Sequence, residues 1–262
     1  MNRNEIWSIA MRQSAIDLGC APEDFLKDKN QIVISSAHPE ARKYLELPFY
    51  CELVSYGSNI VASVSQEAEN AVRDYLDRFS IEHCFETPEL YILNDAFAQN
   101  KMKICFMAEY FLPDPEFLRP QPCGYEIRVL EPEDFQEYYT DSWGNALTPA
   151  HRDRDVLAAA AYDRGKLIAL AGCSADCGTM WQIGVDVLPG YRRQGIACAV
   201  TSRLAVEILE RGKVPFYCAA WSNIRSVRNA VKSGFRPAWA ELTAKSEAFT
   251  DQLIRQSERR ES

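Results

Sequence analysis

The chain has 262 residues, of which 47% are hydrophobic and 25% charged, with 37 acidic against 29 basic side chains and a formal net charge of −8. These are globular values, with enough chain for one large core or two smaller ones, so disorder is not the default expectation. The acidic balance argues against a general nucleic-acid or membrane-surface binder, and no apolar run approaches the ~20 residues of a membrane span.

In chain order, Ile6, Ile9, Ala10 and Ile16 recur at helical spacing between Glu5 and Leu18. Three short strands are expected next, in "QIVISSA", "FYCELVSYG" and "NIVASVS", separated by glycine or polar turns. "SQEAENAVRDYLDRF" reads as a helix from Ser65, with Glu67 and Glu69 at the positive end of its dipole. Thr87 and Pro88 open another helix before the strand "KMKICFMAEYF". The stretch "FLPDPEFLRPQPCG" holds four of the thirteen prolines, which remove donors and fix φ. It reads as a linker over 113–123 between an N-terminal lobe, 1–112, and a second domain, 124–262.

The second domain alternates more regularly. "YEIRVL" is an expected strand and "EPEDFQEYY" an expected helix, followed by a hairpin of "VLAAAAY" and "LIALAGCSAD" about the turn "DRGK". "TMWQIGVDVL" is the next strand, ended by Pro189 and Gly190. The helix after it carries the stripe Ile196, Val200, Leu204 and Ile208, with Gly212 as its stop. A strand, "VPFYCAAW", leads to a helix capped by Ser222 or Asn223 and closed by Gly234. "FRPAWAELTAKS" is the last strand, and the polar tail to Ser262 is a surface helix or frayed end.

Nine cysteines form no CxxC pair, and His38, His83 and His151 stand apart, so the expectation is buried reduced thiols and no metal. The N-terminal stretch carries Glu5 and Asp17 where a secretory segment would be apolar, which makes the cytoplasm the expected location.

The chemistry concentrates in "GYRRQGIACAV". Here a strand, a glycine turn and a helix start follow one another directly, with Arg192 and Arg193 before the turn. First-turn amides lack internal partners, the dipole favours anions, and glycine lets a ligand approach the backbone. Guanidinium forks suit phosphate oxygens, so the expected ligand is a phosphate group, most simply a diphosphate. The Walker and GxGxxG patterns are both absent.

This stretch resembles the coenzyme-A loop of the GNAT N-acetyltransferase superfamily, whose Arg/Gln-x-x-Gly-x-Gly/Ala signature is filled by Arg192, Gly195 and Ala197. "PFYCAAWSNIRSVRNAVKSGF" resembles the family's second landmark, with Asn223, Ser226, Lys232, Gly234 and Phe235 in place. The resemblance covers about residues 124 to 245. It implies an α/β (α+β) fold with a mixed, mostly antiparallel central sheet flanked by helices. It also implies direct transfer of an acetyl group from acetyl-CoA to an amine.

Backbone groups of Val185 and Val187 would then pair with the pantetheine arm, and amides of Arg193, Gln194, Gly195, Ile196 and Ala197 would hold the diphosphate. Asn223 and Ser226 would reach the coenzyme from the other side; a helix cap for Asn223 and a surface hydroxyl for Ser226 are equally expected and do not exclude it. The oxyanion donor would be a backbone N–H near Val187.

Two departures bear on catalysis. Ala230 stands where family members often have an acidic tyrosine, leaving Tyr217 as the substitute, and Trp181 and Gln182 stand where some members have a glutamate. Asp186, on the same face as Gln182, is the candidate base, against a structural carboxylate or a chain of waters. Glu109 is an acid that the first lobe brings toward the cleft, or an edge-strand charge. The N-terminal lobe is read as a degenerate acetyltransferase-like half that shapes acceptor choice. The expected acceptor is a small amine, and the state, monomer or homodimer, is left open. The alternative function is a non-catalytic acyl-CoA sensor with a protein partner.

Overall fold

The computed structural model describes residues 1–260. Its elements are α1 (Arg3–Leu18), β1 (Gln31–Ile34), β2 (Cys51–Ser55), β3 (Val61–Val64), α2 (Glu69–Arg78), α3 (Glu89–Ala98) and β4 (Met102–Pro113). There follow β5 (Glu126–Leu130), β6 (Asp155–Asp163), β7 (Lys166–Ser174), β8 (Met180–Val187), α4 (Ile196–Glu210), β9 (Val214–Ala219), α5 (Ile224–Lys232), β10 (Phe235–Ser246) and α6 (Glu247–Arg260). The polar tail is therefore helical to Arg260, and residues 261–262 lie outside the described range.

Two expected helices change form. Ser65 opens a turn, with its Oγ accepting from Ala68 N at 3.3 Å, and α2 begins only at Glu69. "EPEDFQEYY" makes a 3₁₀ stretch, Pro132–Tyr138, broken at Phe135 (φ −117°). Phe135 is its only buried residue, so no apolar stripe draws it into a full α-helix.

Contacts divide the chain into two compact units. The first comprises Met1–Gln13, Arg42–Tyr44 and Tyr110–Ala238; the second comprises Ser14–Ala41, Leu45–Glu109 and the chain from Trp239 onward. The chain thus passes between units within α1, β4 and β10, which no linear division at 113–123 reproduces. The Pro-rich stretch is irregular chain fastened to the first unit. Asp114 N donates to Gly234 O at 2.9 Å, Gln121 N donates to Ser202 Oγ at 2.9 Å, and Arg3 pairs with Asp114 at 2.8 Å.

In the first unit β5, β6, β7 and β8 are antiparallel neighbours, and β9 joins β8 in parallel. The β6–β7 turn is a tight one, because Arg164 (φ 50°) and Gly165 (φ 82°) both adopt left-handed conformations. Helix α4 lays Ile196, Val200, Leu204 and Ile208 into a core with Leu157, Ala159, Ala161, Ile168, Ile183 and Phe235. Leu204 is fully buried, a position where truncation to alanine costs about 2–5 kcal/mol. Gly212 (φ 73°) ends this helix and Gly234 (φ 99°) ends α5, as their sequence positions imply.

In the second unit β1 pairs β3 in parallel, β3 pairs β2 antiparallel, and β2 takes residues 240–244 of β10 as its other antiparallel neighbour. Helices α2 and α3 cover this sheet through Val72, Tyr75, Leu76, Leu93 and Phe97, packed with Leu53, Ala62, Val64 and Leu242. Each unit therefore has a mostly antiparallel sheet faced by helices.

Candidate active site

Strand β8 keeps its β7 partner from Gln182, opposite Ser174, to its end at Val187, opposite Ala169. Its pairing with β9 stops early: among the described residues the pairs are Met180↔Val214, Trp181↔Pro215 and Gln182↔Phe216. Beyond Gln182 the two strands diverge. Leu188 N donates to Ile168 O on β7 at 3.0 Å, so by strand alternation the backbone groups of Val187 and Val185 point to the open side. The Val187 carbonyl there accepts from Arg192 Nε at 3.0 Å. An opened strand edge of this kind pairs with extended amide-bearing ligands as though they were a further strand.

At the end of β8 the chain turns through Pro189–Tyr191 and then takes two left-handed residues, Arg193 (φ 66°) and Gly195 (φ 81°). The first helical bond of α4 runs from Ala199 N to Gly195 O at 3.1 Å, so the N–H groups of Ile196, Ala197 and Cys198 have no carbonyl within the helix. Residues 192–195 are exposed, while Ile196 is buried and anchors the turn. A Cβ at Gly195 would meet nothing within 4 Å; the backbone angle and the open approach, not packing, call for glycine. Successive amides around αL residues make a concave anion seat. Gln194 Oε1 accepts from Tyr125 Oη at 3.0 Å, and Tyr191 Oη donates to Asp163 Oδ2 at 3.0 Å, so both flanks are braced. Arg192 is turned back toward its own strand by the Val187 bond, which leaves Arg193 and the amides as the donors at the corner.

At the α5 landmark the structure shows the capping that was expected of Asn223 beside its coenzyme reading. Asn223 Oδ1 accepts from Ser226 N at 3.2 Å, which makes Asn223 the helix cap. The Ser226 hydroxyl bonds Tyr217 Oη at 2.8 Å and is thereby engaged inside the fold. Tyr217 packs in the core beside Phe235 and the fully buried Ala230. Burial pushes its phenol pKa above the ordinary value, so it keeps its proton.

On the other face of the sheet lies a cavity of about 330 Å³ lined by residues of the first unit, reaching from Gln182 and Gly184 to Asp155 and Asp176. One wall is the segment 145–148. A Cβ on Gly184 would overlap the Asn145 carbonyl, and one on Gly172 the Ala146 carbonyl, so this backbone lies directly on β7 and β8. Asp186 fastens it. Its Oδ2 accepts from Asn145 N (2.8 Å) and Ala146 N (3.0 Å), and its Oδ1 from Asn145 Nδ2 (2.6 Å). This departs from the reading of Asp186 as general base. Both oxygens are taken by donors of the loop, the arrangement of a clamp. At the other end, Thr148 N (2.7 Å) and Tyr139 Oη (3.1 Å) donate to Asp155 Oδ2. Arg154 pairs with Asp176 at 3.3 Å, and Ser174 Oγ donates to Asp176 at 2.6 Å.

Sequence reading missed this cavity, since its residues come from five separated segments. The one local signal was glycine in the middle of two strands, at 172 and 184. Glu109, at the end of the second unit's share of β4, is half-buried, and burial raises its pKa. Among the described residues no group of three or more His, Cys, Asp or Glu side chains is placed to hold a metal ion, and no helix is long and apolar enough to cross a membrane. Burial pushes the Cys20 and Cys84 thiols up to about 12 and those of Cys51 and Cys173 well above their ordinary value.

A GCN5-related N-acetyltransferase from Kribbella flavida is 18% identical and matches with a TM-score of 0.51 over 91% of this chain and 95% of its own, which shows the fold. A GCN5-related N-acetyltransferase-like protein from Streptococcus suis is also 18% identical, with a TM-score of 0.45 over 59% of this chain and 69% of its own. An aminoglycoside N-acetyltransferase in complex with CoA matches at 18% identity and a TM-score of 0.35, over 46% of this chain and 93% of its own. The chain spans 66% of one further GNAT structure and 63% of another. No curated protein sequence matches it. The family described as GNAT acetyltransferase matches residues 81–239, more than half of the sequence, and the chain belongs to that family.

Proposed function

We propose that this protein is an acetyl-CoA-dependent N-acetyltransferase whose acceptor is a small amine. The observation that carries the reading is the parting of β8 from β9 after Gln182, which leads an open strand edge straight into the left-handed corner at Arg193–Gly195. The donor set fits the coenzyme. Amides of Arg193 to Ala197 suit a diphosphate, and the backbone of Val185 and the Val187 N–H suit the amides of the pantetheine arm.

When bound, acetyl-CoA supplies the acetyl thioester. The chain's part is to place and neutralise. With the diphosphate at the corner and the arm running back along β8, the reacting end falls beside Ile183 and Gly184, where the cavity begins. Tyr217, kept protonated by burial and paired with Ser226, is the proposed proton donor for the departing sulfur. Because Asp186 is committed to the loop, the ammonium proton leaves through water in the cavity.

Calorimetry with acetyl-CoA tests the coenzyme site, and thiol release with an amine panel tests the reaction. Gly195→Glu is expected to weaken coenzyme binding at least about tenfold, from backbone strain at φ 81° and a carboxylate set against a diphosphate. Unchanged affinity would refute the corner as the diphosphate site. One observation favours a second reading, a non-catalytic acyl-CoA sensor: Ala230 is fully buried at the position of the family's acidic tyrosine. Tight coenzyme binding with no thiol release across the panel would support that reading.

A further inference from the structure

The pairing register lays out the floor of the cavity. Asp155 on β6 is opposite Ser174 on β7, Ser174 is opposite Gln182 on β8, and Gln182 is opposite Phe216 on β9. Residues in one transverse row project to one face. Asp155 therefore looks into the same cavity as Gln182, two strand spacings or about 10 Å away from the point where β8 opens.

Asp155 is 3% exposed, yet among the described residues no ion pair includes it, and both of its donors fall on Oδ2. Oδ1 receives none. Burial, with Asp176 and Asp153 nearby, holds its carboxyl above the ordinary carboxylate range. A buried carboxylate with a vacant oxygen facing a cavity calls for a cation. The other charged groups there do not supply it. Arg154 pairs with Asp176 through Nη1, its buried Nε having no hydrogen-bond partner, and His151 is exposed at the rim, so the lining sets two carboxyl groups against one guanidinium. Tyr44 and Tyr110 add aromatic lining, which also suits a cationic group.

We propose that the acceptor carries two cationic groups: one amine is presented at Gln182–Gly184 for acetylation, and a second ammonium or guanidinium pairs with Asp155 Oδ1 at the far end of the cavity. The proposal rests on the acetyltransferase reading given above. It narrows the acceptor to diamines and related polycations with charges set a short spacer apart.

The test compares 1,5-diaminopentane, 1-aminopentane and 5-aminopentanoate on the wild-type chain and on Asp155→Asn, which retains an acceptor for Thr148 N. The ratio of diamine to monoamine kcat/KM is expected to be about ten or more in the wild type, the worth of one charge-assisted contact, and to fall close to one in the variant. The aminopentanoate is expected to be the poorest acceptor. A wild-type ratio near one, a ratio that survives Asp155→Asn, or a preference for the carboxylate would overturn the proposal. Calorimetric binding of 1,5-diaminopentane in the presence of CoA gives a readout independent of turnover. If the diamine binds in an Asp155-dependent way but no thiol is released, the acetyltransfer reading fails and the cation site stands; if acetyl transfer proceeds and the diamine shows no such dependence, the cation site fails alone.

Discussion

Asp186 shows how far a residue can be read before its partners are known. Strand alternation puts it on the face of Gln182, and the structure has it there. Its three donors come from Asn145 and Ala146, some forty positions earlier in the chain, and nothing local announces them. Asp186→Ala is expected to free the 145–148 segment. The loss should be about 2 kcal/mol in urea denaturation, from charge-assisted bonds left unmade, and KM for the acceptor should rise while coenzyme affinity holds. A variant that keeps its acceptor KM and loses only kcat would restore the general-base role. The left-handed corner at Gly195 and the start of α4 were legible for the opposite reason: a strand, turn and helix start built from consecutive residues have their signature written in one place.

At the scale of elements, most strands and helices were readable because each depends on its own period and punctuation. The stripe of α4 and the stops at Gly212 and Gly234 are examples. What escaped was the work of mid-strand glycines. Gly184 and Gly172 give up side chains so that another backbone can lie against the sheet. Gly184→Ala should push the Asn145 carbonyl off β8, with a cost of about 2–3 kcal/mol from overpacking and a marked loss of acceptor binding. Thermal melts and acceptor titrations would measure both. An unaltered melting temperature would mean that the segment moves aside without cost. The 3₁₀ stretch at Pro132–Tyr138 carries the complementary lesson: acidic residues and a proline mark a start, but only a buried stripe sustains a helix.

At the scale of the whole molecule, the expectation of two domains divided at residues 113–123 did not anticipate the path of the chain. Alternation identifies β10 as a strand, yet it cannot name the partner, and residues 240–244 pair with β2 in the second unit. That pairing places Glu241 near the buried Glu52, whose pKa is raised well above the ordinary value by burial first and by Glu241 next. A carboxyl raised in the folded state favours folding while it is protonated, and this contribution is lost as pH rises through the folded-state value. The second unit should therefore lose stability as pH climbs above the ordinary glutamate range. Glu52→Gln should raise the melting temperature more at alkaline than at acidic pH, as pH-resolved calorimetry would show. An equal shift at both would mean that folding does not raise the Glu52 carboxyl.

The route of β10 also orders events in time. A ribosome delivers β1, β2 and β3 early, but the neighbour that completes the second side of β2 emerges only after nearly the entire first unit has been made. Until then β2 offers a bare hydrogen-bonding margin to whatever strand comes near, in its own chain or another. Birth order and completion order are thus reversed between the sheets: the one whose strands are made first is finished last, and a nascent chain halted before residue 240 holds an open sheet that only further synthesis can close.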